Sequence, residues 1–449
     1  MINISINPKN LSEKKYILDI IFNEFLGINY LLDFENIENT YRIRFSTNKS
    51  LIIYDAFWNK LENEKDYLNK NYIPVEIKYI KSKFTFENDL PVLYGNPVLS
   101  EKEDSIVCEA DIFAGVYFFL TRWEEYISED MDQYGRFKYK NSVAYKFNLV
   151  HRPVVNEYAE FLWNIIKYLD PSIKRVQRKY LPVITHDIDA PLRLLDLKML
   201  RNSFFRNLIK RKNYSNALRD IPVYFINKFN PRFDLGNTYE LLMDASESIG
   251  VKSNFFFIQS EKTKFDPGYD NRSKLLQNIF KKIKDRGHNI GIHSSYYSLE
   301  NAEKWKNEYH ELCNATGVKI KNGRHHYLRF KVPFTWQVWD DNGLESDHTL
   351  GFAEMEGFRC GTCYSYSVYN FLTRKKLKLK ESPLILMEVS VTEYQKLDKP
   401  EQFAEKLKNV VNIVKRYNGE FVFLYHNSFF DTKYLTKEKY WEWISIISD

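Results

Sequence analysis

Asp187 and Asp189 stand two residues apart at the end of the run Leu181-Pro182-Val183-Ile184-Thr185-His186-Asp187-Ile188-Asp189. In an extended chain successive side chains face opposite ways, so Thr185, Asp187 and Asp189 share one face while Ile184, His186 and Ile188 share the other. Two carboxylates held close repel and disturb each other's protonation unless a cation or a shared proton lies between them. With a cation present, one Asp is a hard oxygen ligand and the other a general base toward water. The plainer alternative is that Asp189 caps the segment beginning at Pro191 while Asp187 pairs with an Arg or Lys.

The element that must carry this pair is a strand. Val183, Ile184 and Thr185 are β-branched, the run is short and apolar, and Ala190-Pro191 ends it. Beyond it the pattern alternates between strand and helix. Helices are expected at 238–249, 273–286, 302–316, 335–341 and 400–417, and strands at 253–258, 289–293, near 324, at 344–347, 384–389 and 421–426. Such repeats argue for a parallel sheet with helices outside, open or closed into a barrel. Asp187 and Asp189, His293, Arg324 and His326, Asp347, Glu388, and His426 with Asn427 all fall at or just past the carboxyl end of an expected strand. That is the end where parallel α/β folds build their sites.

The first part reads differently. A helix from Ser12 to a stop at Gly27 precedes strands at 41–45, 51–54, 75–79 and 91–94 and helices at 111–127 and 154–169. This is a smaller α+β domain over 1–175, joined to a second domain over 180–449 by the charged stretch 171–180. Two domains are the natural prior for 449 residues.

Aromatic residues make up 16% of the chain, enough for packed interiors. No apolar run approaches the roughly 18 residues that span a bilayer, and Met1 leads into polar residues, so a cytoplasmic location is expected. Four cysteines are too few for a secreted disulfide scaffold, and Cys360-Gly-Thr-Cys363 by itself is a weak metal or redox signal. The net charge of +6 is unevenly spread: residues 192–232 hold ten Lys/Arg against Asp196 and Asp220, a local +8. Interleaved apolar residues such as Phe204, Phe205, Leu208 and Ile209 make this a basic amphipathic insertion facing phosphates or an anionic membrane, or a solvated helix face. No nucleic-acid motif accompanies the charge.

The stretches Thr185-His186-Asp187-Ile188-Asp189, Phe255-Phe256-Phe257, Gly287-His288-Asn289-Ile290-Gly291-Ile292-His293-Ser294, Arg324-His325-His326-Tyr327 and Leu424-Tyr425-His426 resemble, in order, the motifs of the NodB-homology polysaccharide deacetylases, the fourth family of carbohydrate esterases. Residues 118–125 and 357–362 are similar to a bacterial branch of that family with an extra amino-terminal domain. The resemblance covers about residues 181–430. It implies a distorted (β/α)7 barrel holding one divalent metal, usually zinc, between an Asp and two His. It implies Asp187 as base, Asp189 and His293 as ligands, His426 as general acid and Arg324 as the group that orients the base.

One position departs. The family's second histidine lies four residues after the first, where this chain has Tyr297. His326 could supply the missing nitrogen, Tyr297 or a water could coordinate weakly, or the site could be degraded. Tyr297, Tyr327, Arg359, Glu388 and Asn427 are the candidates for substrate contact. The expected activity is removal of an N-acetyl group from an amino sugar in a surface-glycan precursor, phosphorylated or lipid-linked. A non-catalytic glycan-binding or scaffolding protein on the same fold, and a metal-free glycoside hydrolase, are the competing readings.

Overall fold

The computed structural model of the chain describes residues 2–35, 39–210, 212, 214–227, 230–397, 399–430 and 435–448. Of the basic insertion, Arg211, Asn213, Lys228 and Phe229 lie outside the described residues, as does the side chain of Lys210.

The described residues up to 110 hold eight strands: β1 (Ile2–Ile6), β2 (Tyr30–Phe34), β3 (Thr40–Arg44), β4 (Ser50–Tyr54), β5 (Lys78–Ile80), β6 (Leu90–Val92), β7 (Gly95–Glu101) and β8 (Ser105–Ala110). Six form a mixed sheet in the order β2-β1-β3-β4-β8-β7, and β5 pairs with β6 alone. Burial along β3, β4 and β8 alternates residue by residue, so Tyr41, Ile43, Leu51, Ile53, Ile106 and Cys108 face the core. Strands β1, β2, β7 and β8 were not anticipated from sequence. The first helix, Leu11–Leu18, continues as wider turns over Asp19–Leu26 and stops at Gly27. There φ is +66°, and a Cβ would sit 2.8 Å from the Val176 Cβ, so both conformation and space call for glycine.

The helix expected over 111–127 is broken. Asp111 caps its start by accepting from the Ala114 N–H at 2.9 Å, but Arg122 takes φ +53° and splits it into Ile112–Thr121 and Trp123–Tyr126. The break turns the buried Arg122 guanidinium onto Glu124 and Glu125. The helix Val154–Leu169 has its expected bounds.

The rest of the chain forms β9 (Leu181–Ile188), β10 (Asn254–Ile258), β11 (Asn289–Ser294), β12 (Asn322–His325), β13 (Ser346–Asp347), β14 (Tyr366–Asn370), β15 (Lys375–Glu381), β16 (Leu386–Met387) and β17 (Glu420–Leu424). Their order is β14-β15-β13-β12-β11-β10-β9-β17-β16, parallel throughout except for the edge pair β14 and β15. Where the resemblance implies a distorted (β/α)7 barrel, the described strands of this sheet are nine and run between two edges. The β14–β15 hairpin and the final helix, Lys437–Ser448, were not anticipated.

Three strand spacings separate β9 from β12, about 14 Å in a flat sheet, yet Arg324 Nη1 donates to Asp187 Oδ1 at 2.8 Å. Phe256 of β10 and His348 just past β13 are as many strands apart, with ring centroids at 5.6 Å. Side chains standing perpendicular to a flat sheet could not meet across that span, so the sheet curls and its concave face gathers the strand-end side chains.

The amino-terminal elements pack directly on this sheet's far edge. Tyr16 donates to the Ser367 carbonyl at 3.0 Å, Arg374 grips Glu13 through two bonds at 2.8 and 2.9 Å, and the Val155 N–H donates to the Gly361 carbonyl at 2.8 Å. One buried apolar cluster runs from Ile2 to Ile447.

Candidate metal centre

Asp189 follows directly on β9, and two imidazoles converge on it. His293 Nε2, from the end of β11, lies 3.3 Å from Asp189 Oδ1, and His326 Nε2, just past β12, lies 3.5 Å from the same oxygen. Donor atoms of Asp189, His293 and His326 all fall within 4.8 Å of one another. The Asp189 side chain is 37% exposed, but Oδ1 is buried and accepts no hydrogen bond.

Second partners fix how the imidazoles face. His293 Nδ1–H donates to the Arg324 carbonyl at 2.9 Å, and His326 Nδ1–H donates to Asp266 Oδ1 at 3.0 Å. In the neutral imidazoles each Nε2 therefore carries its lone pair toward Asp189, an arrangement that a cation or a proton between them relieves. A zinc ion with bonds of about 2.0–2.1 Å in tetrahedral geometry has donor–donor edges of about 3.3–3.4 Å. The two distances to Asp189 Oδ1 fit those edges, and one carboxylate with two imidazoles is a donor set suited to such an ion. The unmet negative charge is visible in protonation too. Burial disfavours charge on His293, but the Asp187 and Asp189 carboxylates override it and raise its pKa.

Asp187 sits two residues back, on the same face. Its Oδ1 accepts from Arg324 Nη1 at 2.8 Å, and its Oδ2 is 3.6 Å from His293 Nε2. Arg324 is itself fully buried and held by Thr185 Oγ1 at 3.0 Å and the His348 carbonyl at 2.8 Å. Burial alone would raise the Asp187 pKa, yet Arg324, then His293 and His426, pull it below the usual carboxylate value. Asp187 is thus an ionised group in a dry setting.

On the other flank His426 Nε2 lies 3.7 Å from Asp189 Oδ2, and its Nδ1 is 2.5 Å from Glu388 Oε1. The same Glu388 oxygen accepts the His426 backbone N–H at 3.0 Å. Burial works against the imidazolium, but Glu388, aided by Asp189 and Asp187, pushes the His426 pKa up to about 10. It holds a proton at neutral pH.

Two stretches of the chain resemble known proteins. Residues 2–171 match the model of a family of unknown function, DUF7033. No curated protein matches the chain. Among solved structures, a candidate polysaccharide deacetylase from Mycobacterium smegmatis is similar at 13% identity with a TM-score of 0.40, over 60% of this chain and 84% of that one. BA3943, a CE4 family pseudoenzyme from Bacillus anthracis, is similar at 11% identity with a TM-score of 0.30, over 60% of each chain. A BA3943 mutant with restored enzymatic activity is similar at 13% identity with a TM-score of 0.29, over 60% of this chain and 62% of that one. This chain spans less than two thirds of the length of the two BA3943 proteins.

The structure brings Asp187, Asp189, His293, Arg324, His326 and His426 together. Tyr297 is not with them. It is 49% exposed, packs its ring on Tyr296 and Phe265, and has no hydrogen bond or ion pair to the cluster among the described residues. Tyr327 is half-buried beside the cluster, its ring 4.4 Å from that of His326 and stacked at 4.9 Å on Tyr134.

Three expected substrate contacts have other work. Glu388 is fully buried beneath His426, where its carboxylate positions the imidazole instead of reaching solvent. Arg359 is buried with both arms on Glu125, at 2.9 and 2.6 Å, and a third bond to the Gly351 carbonyl. Asn427 is buried and donates to the Ala190 and Gly236 carbonyls at 2.9 and 3.0 Å, tying the loops behind the site. Cys360 and Cys363 are buried and unpaired with each other, and burial pushes the Cys360 thiol up to about 12, so it stays protonated and inert.

Asp266 was missed. It backs His326 and also accepts the Tyr296 N–H at 2.8 Å. The signal available was its place in the loop after β10, in an Asp-Pro-Gly turn at the end where sites are built. The amino-terminal residues beside Tyr327 were missed as well. Tyr134 lies on Tyr327, the Tyr134 carbonyl accepts from the Tyr296 hydroxyl at 3.1 Å, and Arg136 Nη1 donates to the Tyr327 carbonyl at 3.2 Å.

Proposed function

We propose that this protein is a metal-dependent hydrolase that removes the acetyl group from an N-acetylated amino sugar. The observation that carries the reading is the convergence of Asp189, His293 and His326 between an ionised Asp187 on one flank and a protonated His426 on the other. Asp189, His293 and His326 would hold a divalent cation, for which zinc suits the donors, and the cation would polarise the acetyl carbonyl and stabilise developing negative charge.

Asp187 takes a proton from the water that attacks the carbonyl carbon. Arg324 keeps that carboxylate ionised and aimed, so the proton has a base to go to. Collapse of the tetrahedral species breaks the C–N bond, and His426 gives its proton to the departing amine. Acetate and the free amino sugar are the products. Glu388 serves the acid by holding Nδ1–H, which leaves Nε2–H directed at the site. A surface-glycan precursor carrying a phosphate or a lipid, handled inside the cell, is the substrate class that fits the basic insertion.

The test pairs elemental analysis with acetate release from N-acetylglucosamine oligomers, in wild type and in Asp189→Ala, His293→Ala and His326→Ala. About one ion per chain, lost in all three variants together with turnover, is expected. A chain that takes up no metal even after loading overturns the reading. Metal retained with no turnover on any N-acetylated sugar favours the glycan-binding alternative, to which the absence of a histidine at Tyr297 also points.

A further inference from the structure

The described residues of 192–233 leave the sheet immediately after the Asp189 segment and form two packed helical arms, Leu197–Phe205 with a wider-turned extension over Arg206–Lys210, and Tyr214–Asn227, here called the hairpin. Its inner face is a small core of its own, built by Leu194, Val223 and Tyr224 with Leu200 packed against them. Its outer face is apolar. Along the second helix Tyr214, Leu218, Ile221 and Phe225 follow at i, i+4, i+7 and i+11, one continuous stripe, and all four are exposed, Leu218 at 67%. The first arm adds Leu197 and Ile209, each at 66%, and Phe205 one turn before Ile209. Scattered exposed apolar side chains are ordinary, but a continuous stripe along one helix with three more exposed apolar residues on the other arm is not.

The charge around that stripe has one sign. Asp220 is buried inside the hairpin, where Arg193, Ser203 and Asn207 hold it at 2.8–3.0 Å. Asp196 is used as a helix cap for the Met199 N–H and as the partner of Lys262. Asp220 is thus engaged inside the hairpin and Asp196 is paired with Lys262, while Lys198, Arg201, Lys212, Arg219 and Arg232 are exposed. Apolar residues in a stripe with a cationic surround are the pattern of a helix that lies in a membrane interface. None of the described helices is long and apolar enough to cross a bilayer.

We infer that this hairpin docks the protein on an anionic bilayer, with Leu197, Phe205, Ile209, Leu218 and Phe225 entering the interface and the lysines and arginines meeting lipid phosphates. A second copy of the chain is the poorer occupant, because a self-paired face would oppose its own cations. The root of the hairpin borders the catalytic loops. A cavity of about 200 Å³ there is lined by Ala190, Met199, Asn202, Ser428 and Phe429, next to Asp189 and His426 in sequence. Docking would bring the site to substrates held at the lipid surface. The inference stands on the hairpin alone and does not depend on the deacetylase reading.

The experiment is co-sedimentation of the full chain with vesicles of phosphatidylcholine mixed with phosphatidylglycerol, against phosphatidylcholine alone. Binding to the mixed vesicles at least about tenfold stronger, weakened by salt, is expected. The pair Leu197→Asp with Leu218→Asp, and the pair Arg201→Glu with Arg219→Glu, are each expected to reduce it about tenfold. All four side chains are exposed, so circular dichroism and the melting midpoint should match wild type, which separates lost docking from lost folding. Absence of vesicle binding by the wild type, or equal binding by wild type and both variant pairs, overturns the inference. So does a concentration-dependent dimer that Leu218→Asp abolishes, since that assigns the face to a second copy.

Discussion

Glu388 Oε1 lies 2.5 Å from His426 Nδ1 and 3.0 Å from the His426 backbone nitrogen, so one buried carboxylate oxygen holds both the ring and the chain of the same residue. The raised pKa of His426 follows from this contact. With the folded pKa at about 10, the acid is present across neutral pH and is lost only as pH rises through that value. Glu388→Gln keeps the shape and removes the charge. The alkaline limb of the kcat/KM profile should then move toward the ordinary histidine value of about 6.5, and kcat near neutral pH should fall about 10- to 100-fold. An unchanged alkaline limb would remove Glu388 from this role.

Asp266 does for His326 what the Arg324 carbonyl does for His293. Asp266→Asn should weaken metal affinity about 10- to 100-fold without abolishing it, as read from competition with a chelator. Tyr297→Phe should leave affinity unchanged, because the tyrosine lies on the exposed rim.

The ion-pair cluster Arg122–Glu125–Arg359 joins the broken helix of the amino-terminal part to the 351–361 segment. Arg359→Met leaves half of a buried carboxylate uncompensated. A loss of about 3 kcal/mol in unfolding free energy is expected, at the low end of the range because Arg122 still holds one Glu125 oxygen at 2.9 Å. Metal content should be unaffected, which distinguishes a structural clamp from a substrate contact.

His186, His325 and His348 are buried, and burial lowers each pKa from 6.5 to about 3. As pH falls below 6.5 the unfolded chain takes up protons that the folded chain refuses, so stability is present in full above that value and drains away toward pH 3. Denaturant midpoints measured from about pH 7 down to about pH 5 should fall at up to about 1.4 kcal/mol per pH unit for each histidine. His186→Gln should flatten that slope.

Tyr134 comes from the amino-terminal part and stacks on Tyr327, the neighbour of His326, with planes 26° apart. Sugar rings pack their apolar faces on such surfaces. Tyr134→Ala should raise KM about tenfold for an N-acetylated sugar with kcat little changed, and Tyr134→Phe should restore it.

The sequence by itself determined the local elements and the inventory of reactive groups. A β-branched run ending in Asp187-Ile188-Asp189 could only place both carboxylates on one face, and the apolar spacing of 154–169 marked its helix to the residue. The ordered appearance of His293, Arg324, His326 and His426 at strand ends was also legible, because strand and helix periods are local properties of the chain. Strands β1, β2, β7 and β8 were not: β2 and β7 lie at the sheet's edges, where no residue is fully buried, and what pairs beside β1 and β8 is set by segments distant in the chain.

Only the tertiary structure decided which histidine completes the cluster and what stands behind each group. His326 rather than Tyr297 faces Asp189 because the sheet curls between β9 and β12 and brings separated strand ends together, an effect of register and twist that no local pattern records. The same holds for Glu388, Arg359 and Asn427. A strand-end position states which end a residue occupies, but whether its side chain meets solvent or a buried partner depends on elements that arrive from elsewhere in the chain, such as Glu125 beside Arg359 and His426 above Glu388.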